Sequence, residues 1–226
     1  MGKDAIIITG ANSGIGYECV NQFLKNDNIV VAISRNINNL ERFENPNLKI
    51  FKCNVEDALG LNSIIKKISS EFSIMGLINN AGVAYYDNFE NISNKDNDEM
   101  IKTNICGFTN MIETVLPIMQ AQKKGTIINI SSLADRYPRP NSAVYAATKS
   151  YVKSLSDSLR LANAKNNIRV CNISPSIINT PLLAKLKKND NMIEVGEFVS
   201  LLKLIYNLPY HINIRDLVVA PTQYEG

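Results

Sequence analysis

The sequence predicts an α/β fold: a doubly wound parallel sheet of about seven strands with helices on both faces, a three-layer α/β/α stack forming one domain over residues 1–226. Three observations predict it. Short apolar runs rich in β-branched residues recur along the chain, segments of helical periodicity separate them, and the alternation continues almost from end to end. No internal repeat, low-complexity linker or block of like charge interrupts it. Parallel neighbours need long crossover connections, and a helix between consecutive strands supplies one.

In chain order the strands are AIIIT (5–9), IVVAIS (29–34), LKIFKC (48–53), GLIN (76–79), TIINIS (126–131), IRVCNIS (168–174) and LVVA (217–220). Helical periodicity covers 15–26, 61–72, 98–122 and 143–165, and a further helix begins near Glu194. Pro117 falls inside the third of these and should kink or end it, because proline lacks the N–H and its ring crowds the preceding turn.

Composition excludes several classes. With 45% hydrophobic and 20% charged residues the chain is neither disordered nor fibrous and can bury a sizeable core. The formal charge of +3 comes from 24 basic and 21 acidic residues, scattered except for Lys185, Lys187 and Lys188, which leaves no footprint for nucleic acid. Cys19, Cys53, Cys106 and Cys171 form no C-x-x-C pair, so no metal site or disulfide framework is expected and they read as buried free thiols. No run approaches the ~18 apolar residues of a membrane span. The N-terminal apolar run is too short for a signal peptide, and Ile6 stands where myristoylation of Gly2 needs Ser or Thr. A soluble cytoplasmic protein is expected.

Directly after the first strand comes TGANSGIG (9–16), and a helix follows. A turn free of side chains and a helix N-terminus with free N–H groups attract a pyrophosphate, so Gly10, Gly14 and Gly16 read as phosphate-loop glycines, with Asn12, Ser13 and Ile15 among them. The spacing is G-x-x-x-G-x-G rather than the G-x-G-x-x-G of the usual dinucleotide fingerprint. The second strand runs out into AISRNINN (32–39), which offers Ser34, Arg35 and Asn36 and no acid before Glu41. An acid there would suit a ribose 2′-hydroxyl, whereas a cation suits a 2′-phosphate. NADP(H) is therefore expected over NAD(H).

The stretch VYAATKS (144–150) puts Tyr145 and Lys149 on one helix face. Chance supplies about one such pair in a chain this rich in lysine, so its surroundings decide what it means. Those are NNAG (79–82) after the fourth strand, TNICG (103–107) in the long helix, ISS (130–132) closing the fifth strand thirteen residues before Tyr145, and SPSIINT (174–180). In this order and spacing the chain resembles the short-chain dehydrogenase/reductase family over nearly its whole length.

The resemblance implies a Rossmann-type sheet of order 3-2-1-4-5-6-7. It implies Tyr145 as acid/base, Lys149 as its partner and ligand of the nicotinamide ribose, Ser132 as carbonyl ligand, and Asn104 as anchor of a proton-relay water. Cofactor contacts are implied for Asn54 and Val55, for Asn80, Ala81 and Gly82, and for Pro175, Ser176, Ile178 and Thr180. A neighbouring ammonium and a nicotinamide cation are expected to favour the phenolate of Tyr145. Two positions depart from the family pattern. Asn54 replaces an aspartate and would meet the adenine amino group through its amide oxygen, and Ser176 replaces a glycine, adding a side chain beside the nicotinamide.

The segment between Thr180 and Glu194 is short for a substrate lid, which suggests an open or mobile pocket, and its lysines read as a solvated face. His211, the single histidine, reads as a loop or surface residue. The tail from His211 lacks the glycine-rich finish of 3-oxoacyl-carrier-protein reductases. The expected reaction is NADP(H)-dependent reduction of a small or medium ketone or aldehyde. A 3-oxoacyl-carrier-protein reductase stands second, and a non-catalytic NADP-binding sensor or scaffold is the reading from another class. By analogy with the family, a homodimer or homotetramer would pair the two long helices, whose outward faces include Met111, Val115 and Leu155.

Overall fold

The computed structural model describes residues 3–26, 28–183 and 192–224. Seven strands, β1 (Asp4–Thr9), β2 (Ile29–Ser34), β3 (Leu48–Lys52), β4 (Ser73–Asn79), β5 (Gly125–Ile130), β6 (Ile168–Pro175) and β7 (Asp216–Val219), form one sheet in the order β3-β2-β1-β4-β5-β6-β7. Every pairing is parallel. The helices are α1 (Gly14–Leu24), α2 (Ala58–Glu71), α3 (Asn94–Ile101), α4 (Phe108–Gln122), α5 (Ala143–Asn163) and α6 (Val195–Asn207).

Successive strand residues point to opposite faces, and both faces are buried along β1, β2, β4, β5 and β6, which is why these strands are largely apolar rather than alternating, while the edge strands β3 and β7 are partly exposed. Ile6 and Ile8 of β1 pack with Phe23 of α1 and with Phe198 and Leu202 of α6. Ala5 and Ile7 pack on the other side with Leu61 of α2, Met111 of α4 and Val152 of α5. The strand order reverses between β1 and β4, so the chain leaves these two strands in diverging directions and opens a crevice at their C-terminal ends.

The expected helix over 98–122 is longer and differently interrupted. It starts at Asn94, where Ser93 Oγ accepts from the Asp96 N–H at 3.1 Å. It then passes through a π-helical turn at Lys102–Gly107 and continues as α4 to Gln122. The break therefore lies at the π turn, and the helix runs on through Pro117. That proline is exposed, so the carbonyl it deprives of a donor can meet water. Strand β4 begins three residues before the run that predicts it. Gly76 punctuates that run because the Tyr206 ring fills the place of a Cβ, 2.7 Å away.

Met111 and Val115 are fully buried and Leu155 packs against the same core, so these three serve the interior rather than an outward face. Of the cysteines, Cys19 and Cys171 are buried, Cys53 is half-buried and Cys106 is exposed on the π turn, a correction to the expectation that all four are interior. His211 lies exposed in a turn. No helix among the described residues is long and apolar enough to cross a membrane. Lys185, Lys187 and Lys188, and most of the short segment after Thr180, lie outside the described residues.

Candidate active site

A cleft of about 370 Å³ opens where β1 and β4 diverge. Gly10, at φ +63°, makes the turn out of β1, and a Cβ there would sit 3.0 Å from both Ala81 Cα and Asn80 Nδ2. Gly16 is a packing residue: its Cβ would collide with the Gly10 carbonyl oxygen, and it does not line the cleft. The NNAG segment is stitched to β1, with Asn80 Nδ2 donating to the Thr9 carbonyl at 2.9 Å and the backbone N–H groups of Asn80 and Ala81 donating to Thr9 Oγ1 at 2.9 and 3.0 Å. Asn79 Nδ2 reaches across to the Phe108 carbonyl at 3.0 Å.

Glycine-loop residues Gly10, Ser13, Gly14 and Ile15 line the cleft, as do Ser34 at the end of β2 and Arg35 just after it, Asn54 and Val55 after β3, Asn80, Ala81 and Gly82 after β4, and Thr180 after β6. This cradle fits a dinucleotide. Helix α1 starts at the cleft with no acid in its first turn, and Ser13, its N-cap, makes no side-chain capping bond, so the first N–H groups and the Ser13 hydroxyl remain for a phosphate. Two residues expected to contact the cofactor also fold loops. Asn12 Oδ1 accepts from the Asn39 N–H at 2.9 Å, and Asn36 Oδ1 from the Asn38 N–H at 2.9 Å, so each folds a loop and neither lines the cleft. Asn54 lines the cleft, yet its amide oxygen accepts from the Glu56 N–H at 3.2 Å rather than standing free for an adenine. Arg35 donates to Glu99 Oε1 at 2.9 Å, and the other Glu99 oxygen accepts from Tyr85 at 2.7 Å.

A smaller pocket of about 90 Å³ adjoins the cleft, the two sharing Ile15, Asn80, Gly82, Thr180 and Leu182. Here the chain brings together Ser132 after β5, Tyr145 and Lys149 on α5, and Pro175, Ser176 and Ile178 at and beyond the end of β6. Tyr145 and Lys149 are each 6% exposed, and both line this pocket. Lys149 Nζ donates to the Ile130 carbonyl at 2.9 Å and lies 5.8 Å from the centre of the Tyr145 ring. Burial lowers the Lys149 pKa to about 8, with Asp135 pulling the other way.

Burial also raises the Tyr145 pKa, outweighing the Ser132 and Tyr86 hydroxyls, which pull it down, while Asp135 adds to the rise. Burial thus favours the protonated phenol, the form against which the Lys149 ammonium and a nicotinamide cation would act. Asn104 is 1% exposed and lies outside the pocket wall. Its Oδ1 accepts from the Val83 N–H at 2.8 Å, and its Nδ2 donates to the Val83 carbonyl at 2.9 Å and Thr148 Oγ1 at 3.1 Å. Its side chain is thus a strut between the segment after β4 and α5.

Two features escaped the sequence reading. Tyr86 lies edge-on to Tyr145 with ring centres 5.4 Å apart, and the only signal for it was a Tyr-Tyr pair just after NNAG. Asp135 lies beneath the pocket, and burial works against its carboxylate. Hydrogen bonds from Arg136, Ser174, Asn172 and Ser131 prevail and hold its pKa below the usual range. Ser131 also donates to the Lys149 carbonyl at 3.3 Å, which ties this network to α5.

A doubly wound parallel sheet with a dinucleotide-shaped cleft at its switch point, joined to a buried Ser-Tyr-Lys pocket, defines a nucleotide-dependent oxidoreductase class of protein. The chain belongs to the short-chain dehydrogenase family, whose model matches residues 4–191. It is 31% identical to an uncharacterised oxidoreductase of Staphylococcus saprophyticus across 96% of this chain and 95% of that one. It is 27% identical to the sulfoacetaldehyde reductase of Chromohalobacter salexigens, over 97% and 94% of the two chains. Among solved structures, the closed form of a serine dehydrogenase complexed with NADP+ superposes with a TM-score of 0.91 at 26% identity, covering 98% of this chain and 97% of that one.

Proposed function

We propose that the protein is an NADP(H)-dependent oxidoreductase that interconverts a small or medium carbonyl compound and its alcohol, with Tyr145 as acid/base. The observation that carries this reading is the position of the Tyr145 phenol, in the pocket that adjoins the cleft, with Ser132 and Lys149 in the same wall. The NADP+ complex of the similar serine dehydrogenase and the aldehyde named for the similar sulfoacetaldehyde reductase support it. Arg35 in the cleft wall, with no acid at the end of β2, supports NADP(H) over NAD(H).

The cofactor would be held by the α1 N-terminus, Ser34 and Arg35 at one end and by Lys149, Ile178 and Thr180 at the other, and the chemistry it supplies when bound is hydride transfer. Ser132 and Tyr145 would donate hydrogen bonds to the substrate carbonyl oxygen. Because burial keeps the phenol protonated, Tyr145 enters a reduction ready to give its proton to the developing alkoxide, a contribution of about 10²- to 10⁴-fold. Lys149 faces the ring that then carries the charge and would stabilise it. Tyr145→Phe tests the reading. Its kcat should fall by about 10³-fold while NADPH binding, followed by fluorescence titration, stays at the parental value; a variant reducing carbonyls at the parental rate rejects the role.

A further inference from the structure

We propose that Tyr86 is a positioning residue for the proton transfer: its hydroxyl donates to Tyr145 Oη and stays on that oxygen when Ser132 turns to a carbonyl substrate. This deepens the carbonyl-reductase reading and rests on it. Tyr86 comes from the segment after β4, well before the stretch that supplies Ser132, Tyr145 and Lys149. It lines the pocket and also a third cavity, of about 120 Å³, which shares Tyr86, Ser132, Tyr145 and Ser176 with it. Its ring stands edge-on to that of Tyr145 at an interplanar angle of 61°. Tyr86 is 36% exposed, so its place against the phenol is not a by-product of core packing.

Against the burial that raises the Tyr145 pKa, the hydroxyls of Ser132 and Tyr86 both favour the charged form of the phenol. A serine hydroxyl has one proton to donate. Once Ser132 gives it to the substrate carbonyl, that donor is lost to Tyr145. The other serines of the pocket wall do not replace it: Ser131 donates to Asp135 Oδ2 at 2.9 Å, and Ser176 Oγ makes no hydrogen bond. Lys149 Nζ donates to the Ile130 carbonyl at 2.9 Å and faces the Tyr145 ring from 5.8 Å. Tyr86 is the hydroxyl that remains on the phenol oxygen.

In a reduction the Tyr145 O–H bond breaks, its proton joins the substrate oxygen, and the bonding pair stays on the phenol oxygen as negative charge. Tyr86 then gives that oxygen a charge-assisted hydrogen bond and keeps its own O–H bond intact. Burial, and next to it the neighbouring Tyr145, hold the Tyr86 pKa above the ordinary range, so Tyr86 remains a donor in both directions of the reaction. The charged and titratable groups around the two hydroxyls are Lys149 on α5, Asp135 after β5, and Arg139 and Tyr224 beside Tyr86. Tyr86→Phe leaves all of these in place, keeps the ring and removes the donor.

The pH dependence of alcohol oxidation tests this, with 3-hydroxybutanoate and butane-2,3-diol as substrates and NADP+ as oxidant, in the parent, Tyr86→Phe and Tyr86→Leu. Oxidation needs the phenolate, and loss of a donor to the charged form raises the Tyr145 pKa. In Tyr86→Phe the acid limb of kcat should move up by about one pH unit, a loss of about 10-fold at any pH below that limb. KM and the high-pH plateau should stay near the parental values, and Tyr86→Leu should move the limb equally. An unmoved limb overturns the positioning role and leaves the carbonyl-reductase reading standing. So does an equal loss at every pH, the mark of a structural role, or a Phe variant that matches the parent while the Leu variant fails, the mark of ring packing. If the Phe variant does not fold, the limb of the Leu variant decides. Inertness of the parent toward both alcohols, and toward acetoacetate and butane-2,3-dione with NADPH, overturns both readings.

Discussion

The large cleft and the small pocket beside it are made of different material. The cleft is shaped by backbone: a left-handed Gly10, a Gly16 pressed against the Gly10 carbonyl, and the NNAG segment pinned to Thr9. The pocket is shaped by side chains from separate stretches of sequence, with Tyr86, Ser132, Tyr145, Lys149 and Ser176 meeting only in the folded chain. A backbone-built site tolerates no added atom and leaves a local signature in the sequence. A side-chain-built site is replaceable piece by piece and leaves little.

The largest expected effect lies at Lys149, a pocket residue that opposes folding. Its pKa is about 8 in the folded chain against an ordinary 10.5, because the ammonium is buried. Below about pH 8 both states hold the proton and the folded state bears the full cost, about 3 kcal/mol. Between about pH 8 and 10.5 the unfolded chain keeps a proton that the folded chain has released, so stability rises with pH through that window. Lys149→Met should abolish turnover yet unfold at higher urea at pH 7, by about 2 kcal/mol once the lost bond to the Ile130 carbonyl is counted. It should also flatten the pH dependence above pH 8. Equal urea midpoints for parent and variant at pH 7 and pH 10 would count against the buried ammonium as a cost.

Gly16→Ala sharpens the contrast from the cleft side. The new Cβ meets the Gly10 carbonyl oxygen, and neither backbone can give way cheaply. A stability loss of about 1–3 kcal/mol in urea melts is expected, with NADPH affinity falling in the same variant.

That difference explains what the sequence revealed. Seven apolar runs and the helices between them were legible because a sheet covered on both faces needs continuous β-branched strands. The π turn at Lys102–Gly107 was not, since the periodicity of 98–122 is helical on either side of it. In the site, fixed local spacings singled out Gly10, Ser132, Tyr145 and Lys149, which the fold sets in the walls of the cleft and pocket. Asn12 and Asn36 show why one letter is ambiguous: the amide oxygen of each holds a loop N–H, a role with the same one-letter look as contact with a ligand. Tyr86 carries no pattern beyond its neighbour Tyr85, and only tertiary structure brings it to the phenol of Tyr145.

Arg35→Ala should weaken NADPH by about 10-fold in fluorescence titration and NADH by less than about 2-fold, the size expected of one charge-assisted contact with a phosphate. An equal loss for both cofactors would mean that Arg35 serves the adenosine or the fold rather than the 2′-phosphate.

The smallest effect concerns the carboxylate that holds Arg35. Glu99 Oε1 accepts from Arg35 at 2.9 Å and Oε2 from Tyr85, and these two bonds, Tyr85 first, keep the Glu99 pKa below the usual range. A 2′-phosphate approaching Arg35 must share or displace that partner and also meets a negative charge beside it. The ion pair is half-exposed on the arginine side, so its worth is about 0.2–1 kcal/mol. Glu99→Gln keeps an acceptor for Arg35 and Tyr85 while removing the charge, and should tighten NADPH by about 2- to 5-fold without moving NADH. At high salt the gain should shrink, because a half-exposed charge is screened. A gain that survives high salt, or a tightening of NADH to match, would mean that the change works through the packing of α3 against the cleft and that the electrostatic contest for Arg35 is absent.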